Sequence, residues 1–459
     1  MPQPKSPKVV ILGAGSLFFG RKAIWQMVHS PALREGTLSL VDTDPSRLDR
    51  MRQLAERVIE HNRSPLTLEA STDRNDVIGD ADFVVMAFAD RNAYFRGIDV
   101  ETSAKYGIRM CSGDTIGPGG IMRTCREYPQ IVAAARDVER LCPDAWIINY
   151  INPAAVHGIG LQRHFPKLKS LALCDAQWNL TQRLADIAGT PADETLIQSA
   201  GPNHFTWLLK AEHDGRDLTP AIVEHIRRDA ENDANTQAQG TASQAKGFRN
   251  NALANELYDA FGLLATVLGH TKEYVRFYQG RGVTGTDPQP ALKLFEVPAR
   301  VDWTNRVWQR VDDYVAGRVP IAEFDTEFGP DPATDLIEGM WANDGRGTGQ
   351  RFFVNQMNRG AVPNMADDAF LELLSDVSME GPTPLPCPPM PRGLRGLCEQ
   401  VLDTHELTAE AVYRSDRALL RRAFLTDPLT SSIGDTDTLI TELFERQRDA
   451  VSSDWFATG

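Results

Sequence analysis

Long apolar runs are missing from this sequence, and so is any excess of basic residues. No stretch approaches the roughly 18 consecutive apolar residues that a membrane-spanning helix needs, and no segment has the pattern of a secretory signal peptide. Acidic residues outnumber basic ones by 62 to 48, so the net charge is −14. Because nucleic acids and anionic membranes bind basic surfaces, we expect a cytoplasmic protein that binds neither.

Cysteines are few, and proline is concentrated in one place. The six cysteines form no C-x-x-C pair and no dense cluster, so we expect reduced thiols rather than a disulfide framework. The proline-rich stretch 381–391 is typical of an extended surface connection.

With 459 residues, of which 42% are hydrophobic, the chain exceeds one core of ordinary size, so we expect two domains, 1–197 and 198–459.

A glycine-rich turn directly follows a short apolar run near the start of the chain. Val9–Leu12 is predicted to be a buried strand, and the turn after it reads GAGSLFFG. Gly13, Gly15 and Ser16 match the beginning of the dinucleotide-binding pattern G-x-G-x-x-G, whereas Phe18 stands at its third glycine. Such a turn lets the backbone approach a pyrophosphate at a helix N-terminus. This segment is therefore the candidate cofactor-binding loop.

Further apolar runs indicate an α/β fold with a Rossmann-type, doubly wound parallel sheet. The run 37–41 ends at Asp42, where an acid meets the adenosine ribose hydroxyls, and this favours NAD over NADP. The runs 82–89 and 145–150 are apolar almost throughout, as expected of strands covered on both faces. The alternation of strands with helical segments predicts the doubly wound sheet.

Polar residues directly follow several predicted strands. The carboxyl ends of the strands are where ligands bind in such folds. Asn152 precedes a proline after one strand, and Cys174 follows another. His204 comes about thirty residues after Cys174. A thiolate and an imidazole could coordinate a divalent metal, although a cysteine at a strand end is often only a small buried residue. Asp114 opens a turn-rich loop of the kind that shapes a pocket.

Several segments, in their order and spacing, resemble glycoside hydrolase family 4 or a close relative such as the NAD-dependent sulfoquinovosidases. The resemblance extends from residue 8 to about residue 373. The segments that carry it are KYGI at 105–108, GDTIGPGG at 113–120, CPDAWIINYINP at 142–153, LCD at 173–175, NHFTW at 203–207 and VNQMNRGAVPNM at 354–365.

The resemblance implies a hydrolase that works through temporary oxidation of its substrate. In this family a glycoside is oxidised at C3 with NAD+, the C2 proton is removed, the leaving group is eliminated, water adds at C1 with return of a proton to C2, and NADH returns the hydride to C3. A divalent metal, Mn2+ in most relatives, assists these steps. The resemblance also implies a second, α+β domain for catalysis and oligomerisation, and a homo-oligomer, either a dimer or a tetramer.

Residue roles follow from the matched positions. Cys174 and His204 match the metal ligands of the family, and Asn152 matches an asparagine that contacts substrate and cofactor. Asp175 resembles the general acid of relatives that cleave 6-phospho-α-glucosides, and its alternative role is to orient the metal site. Asp114 stands where relatives carry a glutamate and is a candidate substrate-binding residue.

The catalytic base is the point at which this sequence departs from the family. Leu268 occupies the position of the aspartate that serves as base in one subgroup. Tyr258, His270 and Tyr274 are the remaining candidates, and His270 has the alternative role of a third metal ligand.

The substrate is expected to be an α-linked sugar with an anionic group at C6. Asp175 favours the α linkage. Lys272 and Arg276, with Arg249 and Arg281 nearby in sequence, would suit a phosphate, sulfonate or carboxylate. Candidate substrates are therefore 6-phosphoglucosides, sulfoquinovosides and uronides.

Two other functions share parts of this pattern. An NAD-dependent 2-hydroxy acid dehydrogenase of the lactate/malate type has the same fold and an asparagine after the fifth strand. A redox-sensing protein that binds NAD without catalysis is conceivable because Leu268 cannot abstract a proton.

Overall fold

The computed structural model describes residues 6–17, 19–238, 251–279, 295–342, 351–430 and 432–456. The strands in these residues are β1 Lys8–Leu12, β2 Thr37–Val41, β3 Thr67–Ser71, β4 Phe83–Met86, β5 Trp146–Asn149, β6 Lys169–Ala172, β7 Thr195–Ala200, β8 Trp207–His213, β9 Arg216–Asp217, β10 Arg351–Met357, β11 Phe370–Asp376 and β12 Thr383–Pro384.

The α-helices in the same residues fall mainly between the parallel strands and in the last third of the chain. They are α1 Gly20–His29, α2 Pro45–Asn62, α3 Asn92–Lys105, α4 Gly117–Leu141, α5 Ala154–His164, α6 Leu180–Ala188, α7 Thr219–Ala238, α8 Asn251–Phe261, α9 Leu268–Thr271, α10 Val297–Val315, α11 Ala322–Glu327, α12 Pro332–Ala342, α13 Arg392–Arg414, α14 Arg417–Thr426 and α15 Ile433–Arg446.

The first six strands form a parallel sheet in the order β3-β2-β1-β4-β5-β6. This is the strand order of a dinucleotide-binding fold, and its direction reverses between β1 and β4, where such folds bind their ligand. The predicted Rossmann-type, doubly wound sheet is confirmed. The four strands predicted from apolar runs at 9–12, 37–41, 82–89 and 145–150 are β1, β2, β4 and β5.

The same sheet continues into the second half of the chain. β10 joins β6 in antiparallel orientation through the pair Asn355 and Ala172, and β11 and β12 follow, so the sheet has nine strands. Residues on the far side of the predicted boundary at 197/198 therefore complete the first sheet. A second sheet, β7-β8-β9, has three strands and is antiparallel, which matches the expected α+β character of the second part.

Alternate side chains of the central strands build two hydrophobic cores, one on each face. Val9 and Ile11 of β1 pack on the face that α1, α2, α10 and α12 cover. Val10 and Leu12 pack on the opposite face, in the core that contains α4. Burial on both faces explains why these strands are apolar without polar alternation.

The glycine-rich turn has the tight geometry that the sequence predicts, with one difference. Gly13 has φ +91°, and a side chain there would meet the backbone of Phe88 at 2.6 Å. The close contact between helix and turn is made by Gly20, the first residue of α1, where a Cβ would lie 2.4 Å from the carbonyl oxygen of Ala14. Gly20 therefore allows the close packing for which the usual pattern employs its third glycine.

Other expectations have mixed outcomes. The predicted amphipathic helices of the C-terminal part are present as α13, α14 and α15, and all six cysteines are free thiols. The proline-rich stretch is not wholly a surface connection, because Thr383–Pro384 forms an edge strand and Cys387 is buried. In the part of the chain that the structure describes, no helix is long and apolar enough to span a bilayer.

Candidate active site

The predicted cofactor residues lie at the carboxyl ends of the parallel strands. Asp42, directly after β2, accepts a hydrogen bond from the backbone N–H of Gly15 at 2.8 Å and another from Asp44 at 2.9 Å. The N–H of Ser16 donates to Gly13, which closes the turn ahead of α1. Asp42 therefore lies against the glycine turn, directly after β2, where the sequence predicts a ribose-binding acid.

Cys174 and His204 meet although 30 residues separate them in sequence. Cys174 follows β6, and His204 lies in the connection between β7 and β8 with a left-handed backbone of φ +67°. The Cys174 Sγ lies 2.9 Å from His204 Nε2, and both side chains are buried. The two residues that the sequence singles out as metal ligands thus form one pair, which we call the thiol–imidazole pair.

Burial sets the protonation states of this pair. It lowers the pKa of His204 well below the ordinary value, an effect to which the neighbouring His270 adds. It also raises the pKa of Cys174, and the charges of Glu372 and Asp175 add to the increase. His204 is therefore neutral, as a metal ligand must be, and Cys174 is a thiol unless a cation stabilises its thiolate.

The pair fits a soft-to-borderline divalent cation. Two ligands of one ion with metal–sulfur and metal–nitrogen bonds of about 2.3 and 2.1 Å lie roughly 3.1–3.6 Å apart at ordinary bond angles. The pair, at 2.9 Å, would open slightly to bond the same ion. No group of three or more His, Cys, Asp and Glu side chains suited to a metal occurs within the described ranges. The remaining coordination positions would fall to water or substrate oxygens, which is typical of a catalytic site.

The segment after Cys174 turns sharply and presents Asp175 to solvent. A 3-10 helix spans Asp175–Gln177, and the N–H of Ala176 donates to Cys174 Sγ at 3.4 Å. Gln177 points inward and accepts hydrogen bonds from Ser199 and Thr266 at 2.6 and 2.9 Å. Asp175 is exposed beside the thiol–imidazole pair, where a carboxyl group can reach a bound ligand.

Of the three candidate bases, His270 is the one that touches the pair. Its ring stacks on the ring of His204, with centroids 4.0 Å apart and planes 7° from parallel. Its Nδ1 lies 3.9 Å from Glu273 Oε2, which is too far for a hydrogen bond. The side chain is 26% exposed, so His270 combines contact with the pair and access to a ligand.

The two tyrosines occupy different surroundings. Tyr274 is buried, its hydroxyl donates to the carbonyl of Thr115 at 3.4 Å, and burial raises its pKa well above the ordinary value. A phenol with a raised pKa stays protonated at neutral pH, so Tyr274 is poorly suited to accept a proton from a ligand. Tyr258 lies on α8, where the guanidinium of Arg227 from α7 is 5.7 Å from its ring centroid. Within the described ranges, no hydrogen bond connects Tyr258 to the thiol–imidazole pair.

Asp114 is held in a buried ion-pair cluster. Its Oδ2 accepts from Arg123 at 2.7 Å, and its Oδ1 accepts from Ser112 at 2.6 Å and lies 3.3 Å from Arg96. Arg96 and Arg123 keep the pKa of Asp114 well below its ordinary value despite its burial. Both oxygens are therefore already engaged, and Asp114 contributes a fixed negative charge near His204 and His270.

The remaining predicted residues differ in exposure. Asn152 is half-buried at the carboxyl end of β5 and precedes Pro153 through a cis peptide bond. Lys272 is half-buried beside His270, whereas Arg276 is exposed in a 3-10 helix. Leu268 is buried at the start of α9. Arg249 and Arg281 lie outside the described residues.

One site residue that sequence reasoning missed is Glu372 of β11. It is fully buried, Asn203 donates to its Oε2 at 3.0 Å, and its backbone N–H donates to Gly201. Burial raises the pKa of Glu372 to about 7. Glu372 thus ties β11 to the loop that carries His204. Its signal in the sequence was one acidic residue inside the apolar strand FLELLSD.

These features place a glycine-rich turn and a buried thiol–imidazole pair at the carboxyl ends of the strands of a Rossmann-type sheet, and family models identify the family. The family 4 glycosyl hydrolase model matches residues 8–190, and the model of the C-terminal domain of the same family matches residues 199–430. The chain therefore belongs to glycosyl hydrolase family 4, and the family predicted from the sequence is confirmed.

Similar proteins come from several bacteria. An α-galactosidase of Bacillus subtilis is 28% identical, covering 98% of each chain. An α-glucosidase of Erwinia rhapontici is 25% identical over 96% of this chain and 98% of its own. A solved 6-phospho-α-glucosidase from gut microorganisms, in complex with NAD and Mn2+, superposes with a TM-score of 0.80 at 21% identity, covering 97% of this chain and 99% of its own.

Family membership bears on the alternative functions. Both halves of the chain match models of a glycosidase family, and the curated relatives are α-galactosidases, glucosidases and galacturonidases. The lactate/malate type of dehydrogenase is therefore not favoured.

We expect Asp114→Asn to destabilise the fold, because it leaves Arg96 and Arg123 buried without their shared counterion. The free energy of unfolding, measured by urea denaturation at pH 7 without ligands, should fall by roughly 3–5 kcal/mol. The folded-state pKa is depressed, so the stabilisation is present above the unfolded value of about 3.9 and is lost at lower pH. The difference from wild type should therefore shrink below about pH 4.

The matched control is Asp437→Asn, which removes an exposed partner of Arg421 and should leave the unfolding free energy little changed. An Asp114→Asn variant as stable as wild type at pH 7 would contradict this view of the cluster.

Proposed function

We propose that this protein is an NAD+-dependent glycosidase that cleaves α-glycosides of a sugar with an anionic C6 group by transient oxidation at C3 and elimination. The observation that carries the proposal is the thiol–imidazole pair at the carboxyl edge of a dinucleotide-binding sheet. The pair would hold the metal, and the glycine turn with Asp42 would hold the cofactor.

The comparisons support each part of this proposal to a different extent. Three relatives are an α-galactosidase, an α-glucosidase and an α-galacturonidase, which favours the α linkage. NAD and Mn2+ occur together in the solved 6-phospho-α-glucosidase and in a 6-phospho-β-glucosidase of Thermotoga maritima. We further propose a division near residue 197 and a homo-oligomer, in keeping with the family resemblance.

The residues of the chain would share the work as follows. When bound, NAD+ supplies a reversible hydride acceptor, and a divalent metal supplies a Lewis acid for the oxygens of the sugar. Gly13, Gly15 and Ser16 would bind the cofactor phosphates, and Asp42 would bind its ribose. Asn152, at the end of β5, would orient the sugar against the nicotinamide.

Proton transfers are assigned by position. His270 touches the thiol–imidazole pair and retains access to solvent, so we assign it the removal of the C2 proton. Asp175 is exposed beside Cys174, so we assign it the protonation of the departing oxygen. Tyr258 and Tyr274 are kept as weaker candidates for the base, since one lies against Arg227 and the other is buried with a raised pKa.

Lys272 and Arg276 would recognise the anionic C6 group. Lys272 is close to His270 in the chain and half-buried, so its ammonium group can face a ligand that His270 contacts. A phosphate, sulfonate or carboxylate would complement this positive charge.

The direct test is hydrolysis of 4-nitrophenyl α- and β-glycosides of galactose, glucose, 6-phosphoglucose, galacturonate, glucuronate and sulfoquinovose. Each is assayed with NAD+ and Mn2+ together and with either one omitted. We expect release of nitrophenol from an α-glycoside with an anionic C6 group, with at least a tenfold loss when NAD+ or Mn2+ is absent.

Two outcomes would count against the proposal in different ways. Equal or faster hydrolysis of a neutral α-galactoside would contradict the anionic specificity while preserving the reaction. Hydrolysis that is indifferent to NAD+, or accumulation of NADH with a hydroxy acid and no glycoside cleavage, would contradict the reaction itself.

We expect Cys174→Ser to weaken metal binding, because a hydroxyl replaces the sulfur that faces His204 Nε2. Titration of the metal-free protein with Co2+ should show a thiolate charge-transfer absorption in wild type and none in this variant. The matched control is Cys398→Ala, which changes another fully buried cysteine and should leave that absorption intact. An unchanged spectrum in Cys174→Ser would exclude Cys174 as a ligand.

His270→Gln separates the two roles open to His270. If His270 is the base, activity should fall by roughly 10²- to 10⁴-fold, while the affinity for Co2+ stays within about twofold of wild type. If the metal affinity falls together with activity, His270 is a ligand. An active variant would exclude both roles.

A further inference from the structure

The turn after Cys174 places two exposed side chains on one side. The N–H of Trp178 donates to the carbonyl of Asp175 at 3.3 Å, which closes the 3-10 turn. Residues three apart in such a turn lie one above the other. Asp175 and Trp178 are both exposed, whereas Gln177 between them is buried. The indole of Trp178 therefore emerges on the same face as the carboxyl group of Asp175.

The orientation of Trp178 is fixed by a hydrogen bond at its far end. Its Nε1 donates to Asp335 Oδ2 at 3.0 Å. Asp335 lies in the first turn of α12, and Gln26 of α1 donates to its other oxygen at 3.4 Å. Gln26 also accepts from the N–H of Asp331 at 2.9 Å, which holds the start of α12 against α1. The ring is thus anchored to α12, which Gln26 in turn holds against α1.

The indole of Trp178 is anchored through its N–H while 36% of the residue stays exposed, so part of the ring is open to a ligand. Tryptophan usually buries its ring and satisfies its N–H together. The negative face of the ring attracts partly positive C–H bonds and other aromatic rings. Such a surface suits a ligand with an apolar face, namely a pyranose or an aromatic group.

The surroundings of the site indicate which part of a ligand would meet this ring. Tyr150, directly after β5, has a pKa raised by burial, and the charges of Cys174, Asp175 and Asp335 add to the increase, so these residues surround one site. Trp178, which is bonded to Asp335, is therefore at the rim of the same site. The thiol–imidazole pair would engage the oxygens of the sugar to be cleaved, and Asp175 would face the bond to the leaving group.

We propose that Trp178 is a stacking platform for the leaving group of the glycoside, oriented by Asp335. The inference rests on the proposed glycosidase function and adds a specificity determinant to it. The leaving group that fits is a second pyranose or an aromatic aglycone, because both present a flat face to the ring.

The test compares two leaving groups on one sugar, using 4-nitrophenyl and methyl α-glycosides of each sugar in the panel. Wild type, Trp178→Ala, Trp178→Leu and Trp178→Phe are assayed with NAD+ and Mn2+. We expect the preference for nitrophenyl over methyl, as a ratio of kcat/KM values, to fall about three- to tenfold in the alanine and leucine variants. The phenylalanine variant retains a ring and should keep most of the preference.

Tyr413→Ala is the control, since it removes an exposed aromatic side chain from α13 and should leave the ratio unchanged. Thermal unfolding of each variant checks that the fold is intact.

The outcomes separate the two proposals. An active wild type whose ratio is unchanged in Trp178→Ala and Trp178→Leu would overturn this inference and leave the proposed function standing. An equal loss for both glycosides would also overturn it, since the ring would then serve the cleaved sugar or the loop. A wild type that is silent on every glycoside would contradict the proposed function and, with it, this inference.

Discussion

The buried contact between Cys174 and His204 is the constraint on which the rest of the site depends. Cys174 comes from the end of the parallel sheet, and His204 from a loop that is held in a left-handed conformation. Two elements remote in sequence must therefore pack together before the pair exists. Glu372 contributes to this packing, since it joins β11 to Asn203 next to His204.

The arrangement explains why a glycosidase would be built on a dinucleotide-binding sheet. Ligands of such sheets collect where the strand order reverses, at the carboxyl ends of the strands. The glycine turn, Asn152 and Cys174 all lie at that edge, so a cofactor and a sugar would be bound side by side. The protein would supply orientation and charge, while the redox chemistry would belong to the cofactor.

Local patterns predicted the parts of this molecule that local physics determines. The apolar runs identified β1, β2, β4 and β5, and the resemblance singled out Cys174 and His204, whose side chains lie in contact. The addition of β10 to β12 to this sheet escaped prediction because β10 pairs with β6 across about 180 positions of sequence, and strand periodicity carries no information on partners.

The same limit applies to individual side chains. Tertiary packing pairs Asp114 with Arg96 and Arg123, and it also buries Tyr274. The spacing of residues along the sequence does not reveal such packing.

The most direct test of the central claim is hydrolysis of the active glycoside in D2O, followed by NMR of the released sugar. Removal and return of a proton at C2 should leave one deuterium at C2 for each bond cleaved. A sugar released without deuterium at C2 would contradict this account, in which the C2 proton passes to a base that is open to solvent.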